Sequence, residues 1–223
     1  NENAAQTLKL ESSSAAKLLC SAGGIIGEAG DPWVGEETIF TLSGNVNRAS
    51  VLSKTNNVET PAGGLVGYLF GSVTSSDNKN FGNIERSAYD GTSPSVENCF
   101  AGGLVGLMSL SSESKLPAYF DADMTIGDVK SVGRAGMLFG GVRSSSYADL
   151  KFPDCVVSGR LVSPKSGYDL DITSENYKSN TNLTDGCYLW SYIPAGKCGL
   201  NVTNNNNMAN RNFQAEVQED SKG

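Results

Sequence analysis

Two pairs of aspartates, Asp121 with Asp123 and Asp169 with Asp171, stand at the i, i+2 spacing that turns both side chains to one side of a strand. A glycosidase pair or a calcium site needs carboxylates arranged this way. A solvated strand face or a turn explains the spacing as well, and no further acidic cluster adjoins either pair. Trp33 sits in the Pro–Gly loop Asp31-Pro32-Trp33-Val34-Gly35, among Glu28, Asp31, Glu36 and Glu37. There an indole can stack on a sugar ring while acids such as Glu36 hydrogen-bond its hydroxyls. Trp190, with Tyr188 and Tyr192, forms a second candidate, and packing against an edge of the fold accounts for both sets equally well. The chain has no histidine, which removes Ser-His-Asp and Cys-His activation of a nucleophile. The reading is a non-enzymatic protein without cofactor.

Five cysteines leave one unpaired. Cys187 and Cys198 flank Pro194 and Gly196 and are the candidate disulfide. Cys20 and Cys99 each stand two residues before the alanine of a repeated hexapeptide. If the repeats stack as strands, these two are two strand spacings apart, about 10 Å. A disulfide rarely tolerates Cα atoms more than about 7 Å apart, so both are expected as small apolar residues buried in a core column. Without histidine or a Cys-x-x-Cys pair, zinc would need four separate thiolates, and no metal site is expected.

The elements that must position these residues announce themselves by repetition. Ala62-Gly63-Gly64-Leu65-Val66-Gly67 returns as Ala101-Gly102-Gly103-Leu104-Val105-Gly106, is anticipated by Ala22-Gly23-Gly24-Ile25-Ile26-Gly27, and recurs in altered form as Ala135-Gly136-Met137-Leu138-Phe139-Gly140. A second landmark follows each copy: Ser43-Gly44-Asn45-Val46, Phe81-Gly82-Asn83-Ile84, Ile126-Gly127-Asp128-Val129 and Ser158-Gly159-Arg160-Leu161. Short Val, Ile, Leu and Thr runs between Ser, Asn, Asp and Pro clusters read as short strands and turns. No such run can bury itself alone, whereas stacked copies can. Ile25, Leu65, Leu104 and Leu138 are expected above one another, and Val46, Ile84, Val129 and Leu161 are expected to form an inner ladder. The fold class is all-β, a β-solenoid in the form of a right-handed parallel β-helix of about four coils with terminal caps; a β-sandwich is the alternative.

The division follows the repeats: 1–19 as an N-terminal cap over the first edge strands, 20–164 as the repeat solenoid, and 165–223 as a C-terminal capping segment. The last part holds Tyr168, Tyr177, Tyr188, Trp190 and Tyr192, an asparagine-rich loop around Asn204 to Asn207, and a charged tail. No charged-then-apolar leader opens the sequence, and Asn1 is expected to begin a mature or trimmed chain.

Gly-Gly-Leu-Val-Gly at intervals of a few tens of residues, with intervening Gly-Asn-Val and Cys187-Tyr188-Leu189 near the end, resembles the GLUG repeat. That repeat occurs in bacterial cell-surface and secreted proteins, many from Bacteroidetes, and beside the peptidase domain of some immunoglobulin A proteases. The resemblance runs from about Cys20 to Leu161, with a closing segment to Leu189, and the fourth copy departs from it at Met137. It implies a surface-displayed array and does not imply catalysis; the expected role is adhesion or a structural scaffold, located extracellularly or on a bacterial cell surface. The alternatives are a β-helix carbohydrate-active enzyme and a self-assembling filament subunit. A net charge of −7 and a pI near 4.7 argue against a nucleic-acid surface. No apolar run is long enough to span a membrane. The partners expected are glycans or host and cell-surface proteins, together with further copies of the chain meeting through the solenoid ends.

Overall fold

The structure is a computed structural model that describes residues 1–12, 21–30, 39–56, 60–89, 99–110, 118–144, 148–152, 155–157, 161–162, 190–192 and 200–204. The chain first runs through β1 (Glu2–Asn3), β2 (Thr7–Ser12), β3 (Ala22–Gly23), β4 (Ile26–Ala29) and β5 (Ile39–Ser43). The same order returns as β6 (Val46–Asn47), β7 (Ser50–Thr55), β8 (Ala62–Gly63), β9 (Val66–Phe70) and β10 (Ser72–Ser76). It comes again as β11 (Lys79–Asn80), β12 (Ile84–Ser87), β13 (Phe100–Gly102), β14 (Val105–Leu110) and β15 (Ala118–Asp121). A fourth row is β16 (Met124–Thr125), β17 (Val129–Ser131), β18 (Arg134–Gly136), β19 (Phe139–Ser144) and β20 (Ala148–Phe152). Finally come β21 (Val156–Val157), β22 (Leu161–Val162), β23 (Trp190–Tyr192) and β24 (Leu200–Asn204).

Strands of equal rank pair in parallel, giving five sheets: A (β1, β6, β11, β16, β21), B (β2, β7, β12, β17, β22), C (β3, β8, β13, β18), D (β4, β9, β14, β19, β23) and E (β5, β10, β15, β20, β24). The architecture is all-β and solenoid-like, and every described pairing is parallel, unlike the antiparallel sheets of a sandwich. Residues 1–12 of the expected cap supply β1 and β2, which join the same ladders as every later row. Trp190–Tyr192 and Leu200–Asn204, from the expected C-terminal segment, likewise pair with β19 and β20.

The hexapeptides stack as expected. Ala22, Ala62, Ala101 and Ala135 are partners across β3, β8, β13 and β18. The Ile25 N–H donates to the Leu65 carbonyl, that of Leu65 to Leu104 and that of Leu104 to Leu138, at 2.8 to 3.0 Å. These positions, with Val66, Val105 and Phe139, fill one apolar core together with Val51, Val73, Ile84, Phe120 and Val129.

The second ladder differs from expectation at its first rung. Ile84 pairs with Val129 and Val129 with Leu161, but the partner of Ile84 in the row before is Val51, while Val46 lines up with Lys79, Met124 and Val156. The two glycines that suggested the match do different work. A Cβ on Gly82 or Gly127 would lie about 2 Å from the carbonyl oxygen of Ala49 or Gly82 in the row before, so these positions are glycine for space. Gly44 has open space around its missing Cβ and a left-handed φ of 63°. It turns the chain from sheet E into sheet A, a place taken by Asp77 (φ 54°) and Ala122 (φ 53°) in the next two rows.

Candidate functional site

Inside sheet A two polar columns run along the stack. Asn45, Asn78 and Asp123 form one: the Asn1 amide donates to Asn45 Oδ1 (3.2 Å), the Asn45 amide to Asn78 Oδ1 (2.8 Å) and the Asn78 amide to Asp123 Oδ1 (3.1 Å). The backbone N–H groups of Asn45 and Asn78 donate to the same acceptors, at 3.0 and 2.8 Å. Cys155 occupies the next rung; it is buried, and its thiol donates to the Phe120 carbonyl. The second column holds Asn47, Asn80 and Thr125, with the Asn47 amide donating to Asn80 Oδ1 at 2.8 Å. Asn47 and Asn80 also close the turn into sheet B by donating to the carbonyls of Ala49 and Gly82. Buried amides need such partners, and chained amides supply one another.

These columns explain the third hexapeptide position. A Cβ on Gly24 or Gly64 would come within 2.6 Å of the Asn47 or Asn80 side chain, and one on Gly103 within 2.5 Å of Thr125. It would also lie 2.0 to 2.1 Å from the carbonyl oxygen of Gly64, Gly103 or Met137 in the following row. In the fourth row the paired positions are Met137 and Val157, both in the apolar core. Among the described residues no sheet C strand stacks on β18 and no carbonyl of a following row meets Met137. The altered hexapeptide keeps its pairing with β13.

A further buried polar group lies where sheets B and C meet. Arg86 is fully buried between Ser53 and Ser131 in register, and its Nη1 donates to the carbonyls of Thr55 (3.0 Å) and Ser87. Burial lowers the Arg86 pKa, and burial raises that of the Cys99 thiol, which the guanidinium partly offsets. Cys99 is buried, as its column position predicts; Cys20 lies outside the described residues.

The chemistry-bearing residues are thus dispersed. Asp121 ends β15, the left-handed Ala122 turns the chain, and Asp123 points into the core, so the two carboxylates share no strand face. Trp33, Glu36, Tyr188, Asp169, Asp171, Cys187 and Cys198 lie outside the described residues, and Trp190 and Tyr192 are placed by backbone pairing at the edge of sheet D, opposite Phe139 and Gly141. On the outside, Arg48 lies over the Phe81 ring at 4.9 Å and pairs with Glu2 at 2.9 Å, while Lys54 stands over the exposed Tyr89. Among the described residues no three Cys, Asp or Glu side chains converge as metal ligands, and no helix is long and apolar enough to cross a membrane.

The interior asparagines are the part sequence reasoning missed, and a signal for them exists. Asn1-Glu2-Asn3-Ala4-Ala5, Asn45-Val46-Asn47-Arg48-Ala49, Asn78-Lys79-Asn80-Phe81-Gly82 and Asp123-Met124-Thr125-Ile126-Gly127 repeat polar-x-polar-x-small. No protein-family model, no curated protein and no solved structure matches the chain.

Proposed function

We propose that the chain is a non-enzymatic surface repeat protein, extracellular or on a bacterial cell surface, whose stack is a right-handed parallel β-helix of about four coils displaying loops for adhesion to glycans or proteins. The observation that carries this reading is where chain length varies. Two residues always separate sheets C and D, and two or three separate E from A and A from B. Between B and C the connection ranges from two residues (132–133) to twelve (88–99), and between D and E from one (Gly71) to nine (30–38). Three corners are held constant by interior packing and two are free to carry insertions, the division of labour expected of a scaffold with binding loops. Trp33 and Glu36 belong to the longest D–E connection. The likeness of the hexapeptides to the GLUG repeat supports the same assignment.

A carbohydrate-active β-helix enzyme remains the rival, and it would need acids converging outside the stack; the burial of Asp123 weakens that reading. A glycan-array screen of the full chain, with Trp33→Ala and Trp190→Ala in parallel, tests the proposal. Glycan binding abolished by one substitution, with unchanged circular dichroism, is the expected result for a glycan adhesin. Absence of glycan binding leaves protein adhesion or scaffolding as the reading. Release of reducing ends from any polysaccharide refutes the non-enzymatic assignment.

A further inference from the structure

The Asn45–Asn78–Asp123 column changes chemistry at its third rung. In the first two rungs an amide both accepts and donates: Asn78 Oδ1 accepts from Asn45, and Asn78 Nδ2 donates to the Leu42 carbonyl (2.9 Å), Ser75 Oγ (2.9 Å) and Asp123 Oδ1. Asp123 repeats only the accepting half. Its Oδ1 takes the Asn78 backbone and amide N–H groups, while its fully buried Oδ2, standing where an amide nitrogen stands in the rungs before, has no hydrogen-bond partner. An ionised carboxylate there buries a charge with one oxygen unsatisfied. A neutral carboxyl has an O–H in the place of the amide N–H and can donate to the Ser75 carbonyl, which corresponds in register to that of Leu42.

We propose that Asp123 is a proton-operated element of the fold: taking up a proton from solvent on Oδ2 completes the hydrogen-bonded column, and losing it leaves a buried charge that loosens the stack at β15–β16. The groups around Asp123 agree. Burial pushes its pKa from the ordinary 3.8 up to about 6, with the nearby Ser75 hydroxyl and the Asn78 hydrogen bonds opposing and the charge of Asp121 adding to the rise. Cys155 is the titratable group on the next rung, Ser75, Asn78 and Phe120 face it uncharged, and no Lys or Arg among the described residues opposes the rise.

The unfolded chain releases this proton near pH 4 and the folded chain near pH 6, so the fold is favoured at the acid end and loses that advantage as pH rises through this window. A tenfold change in the folding equilibrium accompanies each pH unit between the two midpoints, roughly a hundredfold across the whole window. The chain has no histidine and ordinary carboxylates titrate below about pH 5, so among the described residues Asp123 is the carboxylate placed to titrate between pH 5 and 7. Glu28, exposed but also raised by partial burial, is the control.

Urea denaturation of the full chain from pH 5 to 7.5, for wild type, Asp123→Asn and Glu28→Gln, is the test. The expected result is a falling stability in wild type and Glu28→Gln, and a flat profile for Asp123→Asn with greater stability than wild type at pH 7.5. A flat wild-type profile, or an Asp123→Asn profile that still falls, overturns the proposal. Should Asp123→Asn fail to fold, the 13C carboxyl titration of Asp123 in wild type and in Asp121→Asn decides. A midpoint near 6 that moves down in Asp121→Asn supports the device, and a midpoint near 4 in wild type refutes it.

Discussion

The same substitution at two glycines separates the two jobs that glycine does here. At Gly64 an added Cβ lies 2.0 Å from the Gly103 carbonyl oxygen and 2.6 Å from Asn80 Cγ, where carbon and oxygen ordinarily keep about 3.3 Å or more. The third row must therefore retreat by more than about 1 Å at that corner, roughly a quarter of the row spacing of about 4.8 Å. Three hydrogen bonds cross there: Gly64 N–H to Gly102 O, and Leu65 and Val66 N–H to Leu104 O, at 2.8 to 3.1 Å. Losing them costs about 1 kcal/mol each, and the overpacking adds about 1–3 kcal/mol. The lower backbone entropy of the unfolded alanine chain returns about 0.4–1 kcal/mol. Gly64→Ala is thus expected to destabilise by roughly 3–5 kcal/mol. At Gly44 nothing lies within 4 Å and only the left-handed φ of 63° opposes alanine. That conformation costs about 1–2 kcal/mol, offset by the same entropy effect, and Ala122 already adopts it in the same column. Gly44→Ala is expected to cost about 1 kcal/mol or less. Urea denaturation followed by far-UV circular dichroism reads the difference as a midpoint lower by about 1 M or more for Gly64→Ala, given a slope of about 2–3 kcal/mol/M. Equal midpoints would refute the claim that Gly64 is required for space.

Asn78→Ala removes a buried amide that serves both neighbouring rungs and leaves the Leu42 carbonyl and the Asn45 N–H without their side-chain partner. A loss of about 4 kcal/mol or more is expected in the same assay, against less than about 0.5 kcal/mol for Ser76→Ala on the outer face. Arg86→Met keeps volume and removes the buried charge, so it is expected to cost about 1–3 kcal/mol, while Arg86→Ala opens a cavity and costs about 3–5 kcal/mol; a larger loss for methionine would contradict the packing described. Cys99, buried and with its thiol pKa raised, is expected to resist an aqueous disulfide reagent in the folded chain and to react at once in denaturant. Mass spectrometry after labelling reads this site by site, and rapid native labelling of Cys99 would contradict its burial.

Much of the fold was legible because the repeat forces like residues onto like positions. Four alanines, and the apolar residues three and four places after them, align in the structure as their spacing implies. What misled was chemistry that two glycines share on paper and not in space: Gly44 and Gly82 look alike in sequence, yet one serves a left-handed turn and the other a close approach between rows. The candidate site was less legible. The i, i+2 aspartates satisfied the strand rule, but a strand ending at Asp121 and a left-handed Ala122 cancel it. Buried asparagines run against the usual preference of that residue for surfaces, and nothing in the Asn-x-Asn spacing by itself marks those positions as interior. Trp33 and Glu36 belong to an insertion, where the repeat imposes nothing.

Constant corners and variable corners follow from one physical distinction. Where its contacts are described, a constant connection is closed by something the neighbouring row or the turn itself supplies: the Gly-Gly bend of the first three rows by the carbonyl above it, the sheet E to A turn by a left-handed residue at Gly44, Asp77 and Ala122, and the sheet A to B turn by the Asn47 and Asn80 amides, each bonded two residues ahead. Insertion there would break contacts with both adjacent rows. The fourth row shows how such a constraint is released. Where no described strand stacks on β18, glycine gives way to Met137, and the polar partner across the interior gives way to Val157. The exchange trades an amide column for apolar packing without disturbing the pairing of β18 with β13. A row is therefore constrained by its neighbour as much as by its own sequence, and a substitution at an interior corner is felt one row away. The B–C and D–E connections, by contrast, vary in length from row to row, so these are the corners at which the repeat tolerates insertion.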